Sequence, residues 1–399
     1  MSNEREVKYM HSNKIPEEIS LPALLLDLPA FEENCKQIAS YGNGKKIRIA
    51  TKSIRSVEVI KRILDSSSVF QGVMCYSPEE AVFLVEKGLD DILIAYPCWD
   101  KKALSDISIL NSKGKNIICM VDAAEHVDHL NHIAKETKGS FYLCIDVDMS
   151  TTFFNLHFGV RRSPLKDSIA VLELARKIKQ LQNLELIGIM GYEAQIAGVG
   201  DKVPSQRLKN SVIEFLKKKS IKEVEERRNK VVHALRQEGF SLPLVNGGGT
   251  GSLDSTTKED VVTEVAVGSG FYSPKLFDYY NGFLYKPALF YALPIVRKPA
   301  PNIYTCHGGG YVSSGPPGKD KEPQPVYPVG GKLLDLEGAG EVQTPVHYEN
   351  ATLEIGDAII FRAAKAGEVC ERFQEIVCLS DQQIVGRHKT YRGEGVCFI

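Results

Sequence analysis

The sequence predicts a parallel (β/α)8 barrel followed by a mainly antiparallel β-domain. Three observations predict it. Eight short apolar runs of strand length recur along the first two thirds of the chain. The segments between them carry apolar residues at helical spacing. Beyond about Pro274 the texture changes to proline- and glycine-rich loops between short alternating runs.

The barrel strands are expected at Ile47–Thr51, Phe70–Cys75, Ile92–Tyr96, Ile117–Val121, Phe141–Val147, Leu186–Gly191, Leu242–Asn246 and Thr263–Val267. Between them, "SPEEAVFLVEKGLDD" and "SPLKDSIAVLELARKIKQLQ" read as helices, the second opening at its Ser-Pro. A doubly wound sheet alternates in the same way, but eight strands favour closure. One spacing breaks the rhythm. Gly191 to Leu242 holds a long, highly charged helical excursion whose charge reads as a solvated face and whose first loop lies on the barrel's functional rim. After Pro274, "ATLEIGDAIIFRA", "FQEIVCL" and "QIVGRHKTYRGEG" read as strands of a second sheet. The early run "LPALLLDL" precedes the barrel count and is expected to cross over and pair there. The domain expectation is therefore a barrel over 22–273 and a β-domain over 274–399, which residues 1–21 can join.

Composition bounds the partners. The chain has 399 residues, 43% hydrophobic and 25% charged, with a formal net charge of -1. A near-neutral balance gives no electrostatic footprint for nucleic acid or an anionic membrane. No apolar run approaches a bilayer span, and the polar opening "MSNEREVKYMHSNK" has no signal-peptide core. The nine cysteines are scattered without a CxxC pair, as in a reduced cytoplasmic protein.

The chemistry begins at "IRIATKSIRS", where Lys52 follows the first barrel strand. Catalytic residues of such barrels sit at the carboxyl ends of the strands, and phosphate binds after strands seven and eight. The seventh strand runs into "VNGGGTGS". Gly247, Gly248 and Gly249 let the backbone approach an anion, and their amides with Thr250 can form a cradle. "VGSGFYS" makes a second glycine-rich turn after the eighth. A lysine facing a phosphate cradle suggests a Schiff base with pyridoxal 5'-phosphate. Burial, with Arg48 and Arg55 nearby, is expected to make the amine nucleophilic. Asp27, Asp146 and Asp148 are read as caps or pairs at strand ends.

These motifs resemble those of the fold type III pyridoxal-phosphate enzymes, in which an alanine-racemase-like barrel precedes a β-domain. Within them the chain is most similar to the D-threonine aldolase and D-serine dehydratase branch, and closer still to bacterial amino acid deaminase/aldolase-like proteins, from about Leu21 to Phe398. The branch carries Arg-x-x-x-Lys-x-x-Lys, with the first lysine on the cofactor; Arg48, Lys52 and Arg55 fill it here. Gly247 to Thr250 match the phosphate loop. "MGYEAQ" places Tyr192 where the branch has a tyrosine or histidine beside the cofactor. Its Arg-x-Gly-Val after the fifth strand, with the arginine at the pyridine nitrogen, is replaced by "LHFGVRR", which puts His157 there with Arg161 and Arg162 close by.

The branch also holds a divalent metal through a His-x-Cys or His-x-Asp pair in the β-domain. Lys365 and Gly367 of "FRAAKAGEVCERFQEI" stand at those positions, so no metal site is expected and Lys365 is read as the positive charge that orients a substrate group. Glu368, Cys370 and His307 are the remaining donors, without ligand spacing. "YTCHGGGYVSSGPPG" and "LEGAGEVQTPV" are expected to approach the site, with His307 as acid or base and Glu341 as a carboxyl raised by burial.

The resemblance implies a lyase on a small β-hydroxy D-amino acid, acting through Lys52 with Tyr192, His307 or Lys365 as second acid/base group, in a homodimer. An amino acid racemase, drawing its second base from Tyr272, Tyr279, Tyr280 or Tyr311, is the alternative within the same chemistry. A non-catalytic pyridoxal-phosphate carrier is the alternative outside it.

Overall fold

The computed structural model describes residues 15–154, 156–203, 206–316 and 318–398. Nineteen strands follow one another along these residues. In chain order they are β1 (Ala23–Asp27), β2 (Lys46–Ala50), β3 (Phe70–Cys75), β4 (Ile92–Ile94), β5 (Ile117–Val121), β6 (Phe141–Asp146), β7 (Thr151–Phe153), β8 (Leu156–Phe158), β9 (Leu184–Gly191), β10 (Leu244–Gly247), β11 (Glu264–Val267), β12 (Leu289–Ala300), β13 (Ile303–His307), β14 (Gln324–Tyr327), β15 (Lys332–Leu333), β16 (Gln343–His347), β17 (Ala358–Arg362), β18 (Glu375–Ser380) and β19 (Gln383–Lys389). They belong to two compact units.

One unit comprises Ala39–Lys52, Ile63–Gly268 and the chain from Phe398. In it β2, β3, β4, β5, β6, β9, β10 and β11 form a closed barrel. All pairs are parallel, and β11 closes on β2 with Val265 opposite Ile47. These strands read as unbroken apolar runs because a parallel sheet covered by helices is buried on both faces. Leu93, Ile118, Met120, Cys144, Met190 and Leu244 pack together as one core cluster. Each large apolar side chain buried there contributes about 1.5–3 kcal/mol.

The helix starts obey capping chemistry. Ser77 accepts from the Glu80 amide ahead of Pro78–Glu86, and Asp100 accepts from the Ala103 amide ahead of Lys101–Ser112. The helix expected to open at Ser163-Pro164 opens instead at Ser168, capped by Asp167. Ser163 is diverted because its hydroxyl donates to the Asp146 carbonyl at 2.7 Å. The charged excursion is the 31-residue helix Arg207–Gln237, exposed over much of its length but with Arg228 fully buried.

The other unit comprises the chain up to Ile38, Ser53–Arg62 and Ser269–Cys397. Its nine-stranded sheet runs β15-β16-β13-β12-β1-β18-β19, with β17 paired to β12 and β14. The early strand expected to cross over does so. β1 lies between β12, to which it is antiparallel, and β18, to which it is parallel. Ile19, Leu25, Phe290, Ile360, Val377 and Leu379 form the core on one face of this sheet. The turn after β11, the second glycine-rich motif, forms a 3-10 turn at Ser269–Phe271.

Candidate active site

Within the barrel unit the carboxyl ends of the strands bring one set of polar side chains together. Lys52 sits in the 3-10 turn Thr51–Ser53 that ends β2, anchored by the Thr51 hydroxyl donating to the Met74 carbonyl of β3 at 3.1 Å. Its Nζ donates to the Tyr96 hydroxyl at 3.2 Å, reaching across to the end of β4. The Arg162 guanidinium lies 5.4 Å from the Tyr96 ring centre and 5.3 Å from that of Tyr192, which follows β9. Lys52 itself is exposed, so the burial expected to activate its amine is absent. Burial pushes the Tyr96 phenol up, but Lys52 and Arg162 outweigh it and hold the phenol below its ordinary value. Tyr192 is pushed up to about 12, chiefly by burial against the opposing pull of Arg162.

Three carboxylates lie at neighbouring strand ends, and Arg162 acts on one of them, Asp146. Asp122, Asp146 and Asp148 are each buried at the ends of β5 and β6. Burial first, then Asp122, pushes Asp146 up to about 7, with Arg162 opposing. Asp148 accepts from the Ser150 amide and hydroxyl, both at 2.8 Å, and Asp122 is 3.1 Å from His126 Nδ1. The strand-end pairing expected of Asp148 is therefore present, while Asp146 carries a perturbation that a cap would not have.

The glycine loop after β10 is built to be approached closely. Gly248 has φ +81°, a conformation open to glycine. A side chain at Gly249 would come within 2.9 Å of Ala197 Cβ and 3.3 Å of the Tyr192 ring. The Gly248 amide donates to Glu193 at 3.2 Å and the Gly249 amide to the Ser252 hydroxyl at 3.1 Å. These two amides therefore shape the turn, and the 3-10 turn Thr250–Ser252 follows them.

Beneath the loop, Glu193 also accepts from the Ser252 hydroxyl at 2.9 Å, from Thr256 and from Arg228 at 3.0 Å. Arg228 donates in turn to Glu259 and to the Gly191 carbonyl.

One sequence expectation needs correction here. Arg48 does not supply charge to Lys52. Its guanidinium donates to Glu264 at 2.7 and 2.8 Å and to Asp91 at 2.9 Å, residues at the amino-terminal ends of β11 and β4. It is a buried ion pair of the barrel interior, and its backbone position on β2 said nothing of which way the side chain would reach. The cation between Tyr96 and Tyr192 is Arg162, one of the two arginines expected close to His157. His157 lies on β8, which pairs with β7 in a two-stranded ribbon, and its Nε2 is buried with no hydrogen-bond partner among the described residues.

The other unit holds the remaining candidates. His307 is exposed at the end of β13, opposite Gln343 on β16. Lys365 donates from Nζ to the Ser314 carbonyl at 2.6 Å and its hydroxyl at 3.2 Å, while Glu368 accepts from the Ser314 amide at 3.1 Å. Its ammonium thus fastens a loop. Glu341 is exposed and not buried as expected. Arg55 is paired with Glu371 at 2.6 Å. The Tyr272 hydroxyl donates to the Ile54 carbonyl at 3.1 Å, which engages one candidate racemase base structurally. Among the described residues no group of three or more His, Cys, Asp and Glu is arranged to hold a metal ion.

Sequence reading missed Tyr96, Arg162 as the stacking cation, and Glu193 with Arg228. A signal for Tyr96 was present: it stands at a barrel strand end, as Lys52 does. For Arg228 the signal was slight, one arginine among many on a charged helix.

Comparison with known proteins identifies the family. Residues 26–275 match the family described as alanine racemase, N-terminal domain. The 3-hydroxy-D-aspartate aldolase of Paracoccus denitrificans (strain Pd 1222) is 25% identical over 63% of this chain and 60% of its own length. The D-threonine aldolase of an Arthrobacter species is 23% identical over 77% of each. Among solved structures, D-threonine aldolase from Filomicrobium marinum superposes with a TM-score of 0.78 at 17% identity, covering 94% of this chain and 96% of that one. D-threo-3-hydroxyaspartate dehydratase from Delftia sp. HT23 superposes at 0.73 and 18% identity, over 94% and 98%. At such identities the structures establish a shared fold.

Proposed function

Because the chain belongs to the alanine racemase N-terminal domain family, we propose that it is a pyridoxal 5'-phosphate-dependent lyase acting on a small β-hydroxy D-amino acid. The observation that carries the reading is Lys52, presented at a barrel strand end with its Nζ 3.2 Å from the Tyr96 hydroxyl. The relatives named as aldolases and dehydratase support the substrate class.

The residues present fit the cofactor. Lys52 offers a primary amine for a covalent tie. The turn after Gly249 offers an anion site that a Cβ would crowd, and the unpartnered Nε2 of His157 awaits a polar neighbour. Bound there, the group supplies an electron sink for bond cleavage at the substrate's α-carbon. The chain does the rest. Tyr192 gives a flat wall against the glycine loop. Arg162 brings fixed positive charge to the rim, suited to a carboxylate or to developing negative charge. Asp146, pushed up to about 7, can hold or release a proton near neutral pH. A homodimer and a cytoplasmic setting complete the proposal.

The test is direct. Purified protein is incubated with pyridoxal 5'-phosphate, reduced with borohydride and mapped by mass spectrometry. It is then offered D- and L-β-hydroxy amino acids, with and without chelator, while aldehyde, keto acid and enantiomer are assayed. An adduct at Lys52 with aldehyde or keto acid from a D-substrate is the expected result. Colourless protein with no adduct would overturn the reading, and enantiomer as sole product would make the protein a racemase.

A further inference from the structure

We propose that Tyr96 is a catalytic residue whose phenolic oxygen takes the proton from Lys52 Nζ as that amine attacks a carbonyl, with Arg162 as the positioning cation that holds the phenol ready. The inference rests on the cofactor reading above and adds the group that makes Lys52 reactive.

An amine must be unprotonated to attack, and an ordinary lysine is almost wholly protonated at neutral pH. Desolvation is the usual remedy, but Lys52 is exposed. A base in contact is the other remedy, and the contact is there: Tyr96 Oη stands 3.2 Å from Nζ, within the reach needed for proton transfer. Tyr96 is itself half-buried, between the ammonium of Lys52 and the guanidinium of Arg162. Two cations against one phenol favour the phenolate.

The other groups facing Tyr96 are Asp146, which opposes ionisation, and Tyr192, which shares Arg162. Behind it lies a cavity of ≈ 10 Å³, room for one water, lined by Tyr96 with His126, Cys98 and Cys119 among others. Burial pushes both thiols up to about 12 or beyond, which keeps them neutral, so they do not compete for the proton.

The proton balance closes. The Lys52–Tyr96 pair first gives one proton to solvent, leaving an ammonium and a phenolate. As Nζ attacks, one N–H bond breaks and an O–H bond forms on Tyr96, while the nitrogen lone pair makes the new C–N bond. The phenol then returns that proton to the carbonyl oxygen, a second proton passes to it from the nitrogen, and as the C–O bond breaks water leaves while the nitrogen lone pair closes the C=N bond. Merely packing the rim would require the ring of Tyr96; this role requires its oxygen.

Tyr96→Phe separates the two, because it keeps the ring under Arg162. The rate of adduct formation with pyridoxal 5'-phosphate is followed by rapid-mixing absorbance from pH 6 to 10 and confirmed by borohydride trapping at Lys52. The expected result is a rate at least tenfold below wild type at pH 7, recovering toward wild type at pH 10, where solvent hydroxide can take the place of the missing phenolate. Arg162→Gln is a second arm that leaves Tyr96 in place, and its rate profile is expected to shift to higher pH. A Phe variant with wild-type rate and pH profile overturns the inference and leaves the cofactor reading standing. If wild-type protein forms no adduct, both fall. Should Tyr96→Phe fail to fold, as judged by circular dichroism, an Arg162→Gln profile superposing on wild type overturns the inference by itself.

Discussion

Arg228 Nη2 and Glu193 Oε2 meet at 3.0 Å with side chains 0% and 1% exposed. Glu259 engages the same guanidinium from another direction. A helix that otherwise turns much of its charge to solvent thus sends one arginine under the glycine loop, and Glu193 ties that arginine to the Gly248 amide and two hydroxyls. The loop's shape therefore depends on a buried ion triad as well as on its glycines.

Arg228→Met removes the cation and strands two carboxylates in the interior. Losing one member of a buried ion pair costs about 3–5 kcal/mol. A drop of that order in denaturant unfolding is expected, with partial recovery when Glu193→Gln and Glu259→Gln are added. A loss below about 1 kcal/mol would show that the triad is not coupled to folding.

Gly249→Ala puts a methyl 2.9 Å from Ala197 Cβ and 3.3 Å from the Tyr192 ring. Ala197 has no rotamer with which to give way, so the loop itself has to shift, and the Tyr192 ring packed on it with it. Affinity for pyridoxal 5'-phosphate, measured by absorbance titration, is expected to fall about tenfold or more, equivalent to at least about 1.4 kcal/mol. Unchanged affinity would remove Tyr192 and this loop from the cofactor site.

Lys52→Arg keeps the charge and takes away the attackable nitrogen, because a guanidinium stays protonated at every accessible pH. Borohydride is expected to trap nothing and lyase turnover to vanish, with the circular dichroism spectrum unaltered. A trapped adduct on another lysine would relocate the site.

Asp146 titrates at about 7 in the folded chain against an ordinary 3.8. A raised pKa means that the folded state holds a proton which the unfolded chain has released. That stabilisation is complete below about pH 4 and is lost as the pH climbs through 7. At about 1.4 kcal/mol per unit the cost of the ionised form reaches at most about 4 kcal/mol. Asp146→Asn is therefore expected to leave stability near pH 4 unchanged and to raise it at pH 8 by about 1–4 kcal/mol. Equal shifts at both pH values would show that Asp146 does not titrate in this window.

The parts of this molecule that were legible in the sequence are those governed by local pattern. Strand runs such as Ile117–Val121 are continuous apolar stretches because both faces are covered, and the glycines after β10 announce a turn wherever they occur. What stayed hidden depends on direction and distance. Arg48 and Lys52 are four residues apart, yet one side chain runs to Glu264 and Asp91 while the other meets Tyr96. Singling out Arg162 from its neighbour Arg161 needed the path of the chain after β6, where the β7–β8 ribbon intervenes. The Glu193–Arg228 tie joins residues 35 positions apart, and no periodicity encodes it. Burial was misjudged at Lys52 and Glu341 because exposure is a property of the assembled surface.

The position of β1 has a consequence for how the chain is made. Leu24 to Asp27 lie beside Ile376 to Leu379, so β1 is synthesised long before that neighbour exists. At usual synthesis rates the delay is roughly 20–70 s, during which an apolar strand has an unpaired edge open to other chains. A fragment begun at Pro274 would lack the strand on which β12 and β18 both lean, which makes β1 a segment that a holdase chaperone would have reason to cover.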